Sequence, residues 1–74
     1  MSLPPDPEGK NDTRAGWGEQ VILRFEALTG CDREDALADM LCDLMHWCDR
    51  NNLDFARQVE RAEYYYLGET SNEP

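Results

Sequence analysis

The stretch D-M-L-C-D-L-M-H-W-C-D-R-N-N, Asp39 to Asn52, gathers the chain's only histidine, two of its three cysteines and three carboxylates. Asp39, Asp43 and His46 stand at i, i+4 and i+7. On a helix that spacing puts two carboxylates and an imidazole on one face, where they offer oxygen and nitrogen ligands to a divalent ion. A tightly held transition metal would also recruit a residue from another helix, and Glu19, Glu26, Glu60 and Glu63 are the carboxylates available. Spacing alone places none of them there. Cys42 and His46, at i and i+4, could form half of a Cys/His site whose other half comes from a second copy.

The same residues fit a simpler account. There is one histidine and no H-E-x-x-H, C-x-x-C or E-x-x-H pair. Asp39, Asp43 and Asp49 then solvate the wet face of a helix, with His46 pairing to Asp43 or Asp49. We adopt this expectation, which assigns no metal and no cofactor. Nucleophilic and phosphate-binding chemistry is equally unsupported. No Ser/His/Asp order and no glycine-rich loop feeding a helix is present, and the only lysine is Lys10, near the N-terminus. No catalytic residue is assigned, and the chain is read as non-enzymatic.

Three helices must carry these residues. Asp12 or Thr13 can cap the first, whose apolar positions Trp17, Val21, Phe25 and Leu28 follow one helical face. Gly16 and Gly18 weaken its first turn by roughly 1 kcal/mol each relative to alanine, moving the expected start toward Glu19. Gly30 ends it. Asp32 caps the second helix, with Glu34 and Asp35 at the positive end of its dipole. Around that helix Cys48, Leu41, Met45, Ala38 and Cys42 fall to one side of Leu37, and Leu44, Met40, Trp47 and Ala36 to the other. The apolar arc is about 240° wide, against the roughly 100° of an ordinary surface helix, so the helix should be nearly surrounded. Asn51 and Asn52 supply a turn, and Asp54 caps a third helix with Phe55, Val59, Ala62 and Tyr66 in register, stopped by Gly68. The short N-N-L-D link predicts that helices two and three lie side by side and antiparallel as an αα-hairpin. The expected class is all-α: a three-helix domain over residues 14–68, between a flexible arm at 1–13 and a flexible tail at 69–74.

Composition narrows the partners. Sixteen Asp and Glu against seven Lys and Arg give a net charge of −9, which repels phosphate backbones and anionic lipid heads. Direct nucleic-acid or membrane binding is not expected. No apolar run approaches the roughly 20 residues of a membrane span, and the N-terminus lacks a signal-peptide layout, so the cytoplasm is the expected setting. Cys42 and Cys48 lie about 9 Å apart along one helix, too far for a disulfide. All three cysteines are expected as reduced thiols that pack like small hydrophobes.

Tyr64, Tyr65 and Tyr66 point about 100° apart, so no single helix face can bury all three, and at least one must meet solvent or a partner. Met45, Trp47, Tyr64, Tyr65 and Cys42 are therefore the candidate interface residues. Residues 35–67, with D-L-M-H-W, a turn, D-F and a third amphipathic helix ending near a tyrosine, resemble a group of small uncharacterised bacterial proteins. Where similar sequences place His-Tyr at the end of the last helix, this chain has Tyr65-Tyr66. The resemblance implies a bacterial helical domain and assigns no site residues. Two functions follow from the residues themselves. The first is an interaction module, a homo-oligomer with a dimer favoured, because a 240° arc leaves Met45, Cys42 or Trp47 partly uncovered in one chain. The alternative is an acidic regulator that mimics nucleic acid and binds a basic protein surface.

Overall fold

The computed structural model describes residues 2–72. It is all-α, with three helices in chain order: α1 (Asn11–Thr29), α2 (Arg33–Arg50) and α3 (Phe55–Thr70). Among the described residues there is no strand.

The helix ends explain themselves chemically, and two differ from expectation. α1 begins at Asn11 rather than at Thr13 or beyond, because its cap lies further upstream. The Asp6 carboxylate accepts the backbone N–H groups of Lys10 and Asn11 at 3.2 and 3.3 Å. A turn brings it there, with Gly9 N–H donating to the Asp6 carbonyl and Gly9 in the left-handed region at φ 70°. One carboxylate thus satisfies two of the orphan donors of the first turn, and Gly16 and Gly18 are carried inside the helix. At the other end, α3 runs through Gly68 to Thr70. The expected ends hold elsewhere in position, although Asp32 at the start of α2 makes no side-chain capping hydrogen bond and offers only its carbonyl, which accepts from Asp35 N–H. Gly30 closes α1 at φ 71°, donating to the Glu26 carbonyl. Asn52 takes the left-handed conformation at φ 56°, and Asp54 caps α3 by accepting from Arg57 N–H.

α2 packs against both α1 and α3. At 1.5 Å per residue the helices are about 28, 27 and 24 Å long. Short links join α1 to α2 and α2 to α3, and a third corner closes the ring. There Asn11 Nδ2 donates to the Glu69 carbonyl at 2.8 Å, and Arg14 Nε lies 3.4 Å from the Glu69 carboxylate. Rods of similar length joined at three corners form a triangle. The hairpin of α2 and α3 is therefore splayed, with α3 spanning the open ends of α1 and α2 instead of running along α2. The core is correspondingly small: Ala36 is fully buried, Cys48 is 5 % exposed, and no large side chain is fully buried.

Ala36 is small because α1 and α2 meet over it. Ala36→Leu is expected to force them apart and to lower stability by about 1–3 kcal/mol in urea unfolding. Asp6→Ala, far from any packing, should remove about 1 kcal/mol through loss of the cap and leave the helical content at the centre of α1 unchanged.

Candidate functional site

Asp39, Asp43 and His46 all lie on α2 and are all exposed. Asp39 and Asp43 line a hollow with Phe25 and Thr29 of α1, with Cys31, and with Cys42 between them. His46 does not line it. Among the described residues no group of three or more His, Cys, Asp or Glu is assembled in a way that could hold a metal ion. All three cysteines are free thiols, with Cys31 and Cys42 on the same hollow and Cys48 buried.

The tyrosine run divides. Tyr64 and Tyr65 project outward and meet edge to face, their ring centroids 6.3 Å apart, and the Tyr65 hydroxyl accepts from Arg61 at 3.0 Å. Tyr66 lines a separate hollow with Leu3 and Pro4 of the arm and Ala15 of α1. Met45 and Trp47 are each about half exposed. The five side chains singled out as interface candidates, Cys42, Met45, Trp47, Tyr64 and Tyr65, are thus all open to solvent in one chain.

The larger feature was not singled out from the sequence. Leu37, Leu41 and Leu44 fall within about 60° of one another around α2, and Cys48 projects in that same direction. Cys48 is covered because α3 begins beneath it, where Leu53 N–H donates to the Cys48 carbonyl. Leu37, three turns away, is 58 % exposed, and Leu41 and Leu44 are about 40 % exposed. On the α1 side the opening continues into a groove of ≈ 500 Å³, walled by Trp17, Val21 and Leu28 against Met40 and Leu44. Trp17 and Leu28 are each about two-thirds exposed. Their helical spacing identified these residues as one face but not as an uncovered one.

The opposite edge of the α1–α2 pair is polar. Arg33, at the start of α2, reaches back to α1, its Nη2 2.8 Å from Glu19 Oε1 and its Nε 3.3 Å from Glu26 Oε1. The hydrogen bond and charge of Glu19, then the charge of Glu26, hold the guanidinium pKa above its already high ordinary value, so Arg33 stays charged at any physiological pH. Glu26 Oε1 is shielded from solvent and accepts no well-aligned hydrogen bond, so the charge of Arg33 compensates it. No family model matches the chain, and no curated protein and no solved structure matches it either. What the surface can do must therefore be argued from its own chemistry: the carboxylates are dispersed and solvated, and the concentrated feature is apolar.

With Asp39, Asp43 and His46 presented separately, zinc or manganese in hundredfold excess is expected to leave the melting temperature unchanged. A bound ion at that excess over Kd would add about 2.7 kcal/mol and raise it by several degrees. A rise abolished by His46→Ala would reverse the assignment. Arg33→Gln, by leaving Glu19 and Glu26 on one face of α1 without their shared cation, should lower the melting temperature, with added salt recovering part of the loss.

Proposed function

We propose that this chain is a non-enzymatic protein–protein interaction module that completes its hydrophobic core on another protein surface, with self-association into a dimer as its main mode. One observation carries the reading. The chain exposes 6343 Å², whereas a compact monomer of 8.5 kDa exposes about 4,650 Å². Its radius of gyration is 14.5 Å, against about 11.3 Å for a compact chain of this length. The excess is rich in Trp, Leu, Met and Tyr, the side chains of contact surfaces, and monomeric proteins rarely leave so many of them contiguous. Among the described residues no helix is long and apolar enough to cross a membrane. A cytoplasmic setting, and kinship with the small bacterial proteins sharing D-L-x-H-W and D-F, belong to the same reading. The unpaired state of all three cysteines supports the former.

A second reading rests on the net charge of −9. Exposed carboxylates on Asp39, Asp43 and Asp49 could imitate a run of phosphates toward a basic protein. The two readings differ in their response to salt. Apolar association should persist or strengthen at 0.5–1 M salt, whereas a mimic should release its partner as exposed charges are screened within about 3–10 Å. Sedimentation at micromolar concentration is expected to give a species heavier than 8.5 kDa whose mass is retained in high salt. A single species at the chain mass would count decisively against self-association.

A further inference from the structure

We infer that the groove between α1 and α2, together with the adjoining leucine stripe of α2, is the seat of a second copy of this chain, two open faces meeting about a two-fold axis. The inference rests on the interaction-module reading and specifies both its partner and its surface. Three observations commit the occupant.

The first is area. The chain exposes about 1,700 Å² more than a compact monomer of its mass would. Part of that belongs to the arm over residues 2–9, which is exposed throughout. If half the difference is set against the arm, the remainder still matches the about 800 Å² per partner of a stable interface.

The second is charge. Two chains at −9 repel each other over most of their surfaces. The hollow beside Tyr66 holds Asp6, Asp12 and Glu69; that beside Tyr64 holds Glu60 and Glu63; that beside Cys42 holds Asp39 and Asp43. The α1–α2 groove has no carboxylate in its lining, and its polar members are Gln20 and Arg24. Of these four it is the hollow in which a second copy can be seated without setting carboxylate against carboxylate, although the hollows beside Tyr66 and Tyr64 also hold Arg14 and Arg57 with Arg61. Arg24, moreover, makes no ion pair or hydrogen bond among the described residues, unlike Arg14, Arg33 and Arg57. A counter-charge for it would have to come from a carboxylate of the neighbouring copy that lies outside that copy's own groove lining.

The third is pattern. Leu37, Leu41, Leu44 and Cys48 repeat at intervals of four, three and four residues, as do Trp17, Val21, Arg24 and Leu28 on α1. That alternation is the seam by which helices pair with helices. A self-complementary face needs only one such patch, since a two-fold axis presents it to itself.

The test uses the full chain. Val21→Glu and Leu37→Glu replace side chains that are exposed in the single chain, and each should weaken dimerisation by about a hundredfold or more, because the dimer would bury an unpaired charge. Tyr64→Glu, at a similarly exposed position on α3, should leave it unchanged. A Trp47→Phe chain makes Trp17 the sole indole; its emission should be blue-shifted where the dimer is populated and move to the red on dilution. This second measurement needs no disruptive substitution, so it decides the matter even if the glutamate variants fail to fold. A wild-type dimer that tolerates Val21→Glu and Leu37→Glu but is lost with Tyr64→Glu, or a dimer in which Trp17 emits as in water, overturns the inference and leaves the interaction module standing. A chain that is monomeric at high micromolar concentration overturns both. A mass that collapses in high salt assigns the contact to charge and overturns the apolar seat.

Discussion

The direction of α3 is the constraint on which the rest of the molecule depends. The chain leaves α2 through four residues, and the far end of α3 is fixed by Asn11 and Arg14 gripping Glu69. A helix of about 24 Å held at both of those points must span the open ends of α1 and α2. It begins at the Cys48 end of α2, where Cys48 is buried, while the same sector stays exposed at Leu37 and Leu41. Had α3 lain along α2, Leu37 and Leu41 would be core. The exposed stripe, the elongated shape and the small core all follow from one helix closing the triangle.

Much of this was legible in the sequence, and the illegible parts share a cause. Local chemistry placed the links and most caps: Gly30, Asn52 and Asp54 behave as their side chains dictate. The 240° apolar arc of α2 led to the expectation of a nearly surrounded helix, whereas in one chain only Ala36 and Cys48 of α2 are buried and most of the arc is exposed. What could not be read was where the deficit would fall. That depends on the contact between Asn11 and Glu69, 58 residues apart, which has no local signature. The start of α1 was misplaced because Asp6 reaches its helix across an intervening turn, whereas a capping search looks at the residue adjoining the helix. Gly68 was expected to stop α3 because glycine commonly does. Glycine ends a helix where the backbone turns left-handed, as at Gly30; Gly68 stays helical, and the Glu69 carbonyl beyond it is engaged by Asn11. In the chemistry-bearing stretch Asp39, Asp43 and His46 are exposed on a helix as expected, but among the described residues no ion pair or hydrogen bond joins His46 to Asp43 or Asp49, because these side chains lie separately in solvent. One detail went unforeseen: Asp39 and Asp43 share a hollow with Phe25 of α1, so part of that wet face looks toward the neighbouring helix.

Charge is distributed in a way that complements this shape. With more than two acids for each base, two of the seven cations hold helices together: Arg33 ties α2 to α1, and Arg14 ties α1 to α3. These pairs are half exposed and individually weak, worth at most about 1 kcal/mol for the less exposed Arg14–Glu69 pair. They determine which helix ends meet more than how firmly. The acids not so engaged lie on the wet faces, and the open apolar face is left nearly free of them.

A core of Ala36 and Cys48 cannot by itself offset the conformational entropy of ordering three helices, which costs about 1–2 kcal/mol per residue in the backbone alone. α3 is capped by Asp54 and the first turn of α1 is served by Asp6, yet such local terms amount to about a kilocalorie each, and helices of under twenty residues are marginal without tertiary packing. On the proposed interaction-module reading, further stabilisation comes from the burial of Trp17, Leu28, Leu37 and their neighbours, at about 25 cal/mol for each Å² removed from water. Where that burial is supplied by another chain, folding and association become one equilibrium, and stability rises with protein concentration as mass action requires. On the proposed dimer reading the triangular arrangement is half of a core: it holds an apolar face open, so that the surface offered for association is already shaped before the partner arrives.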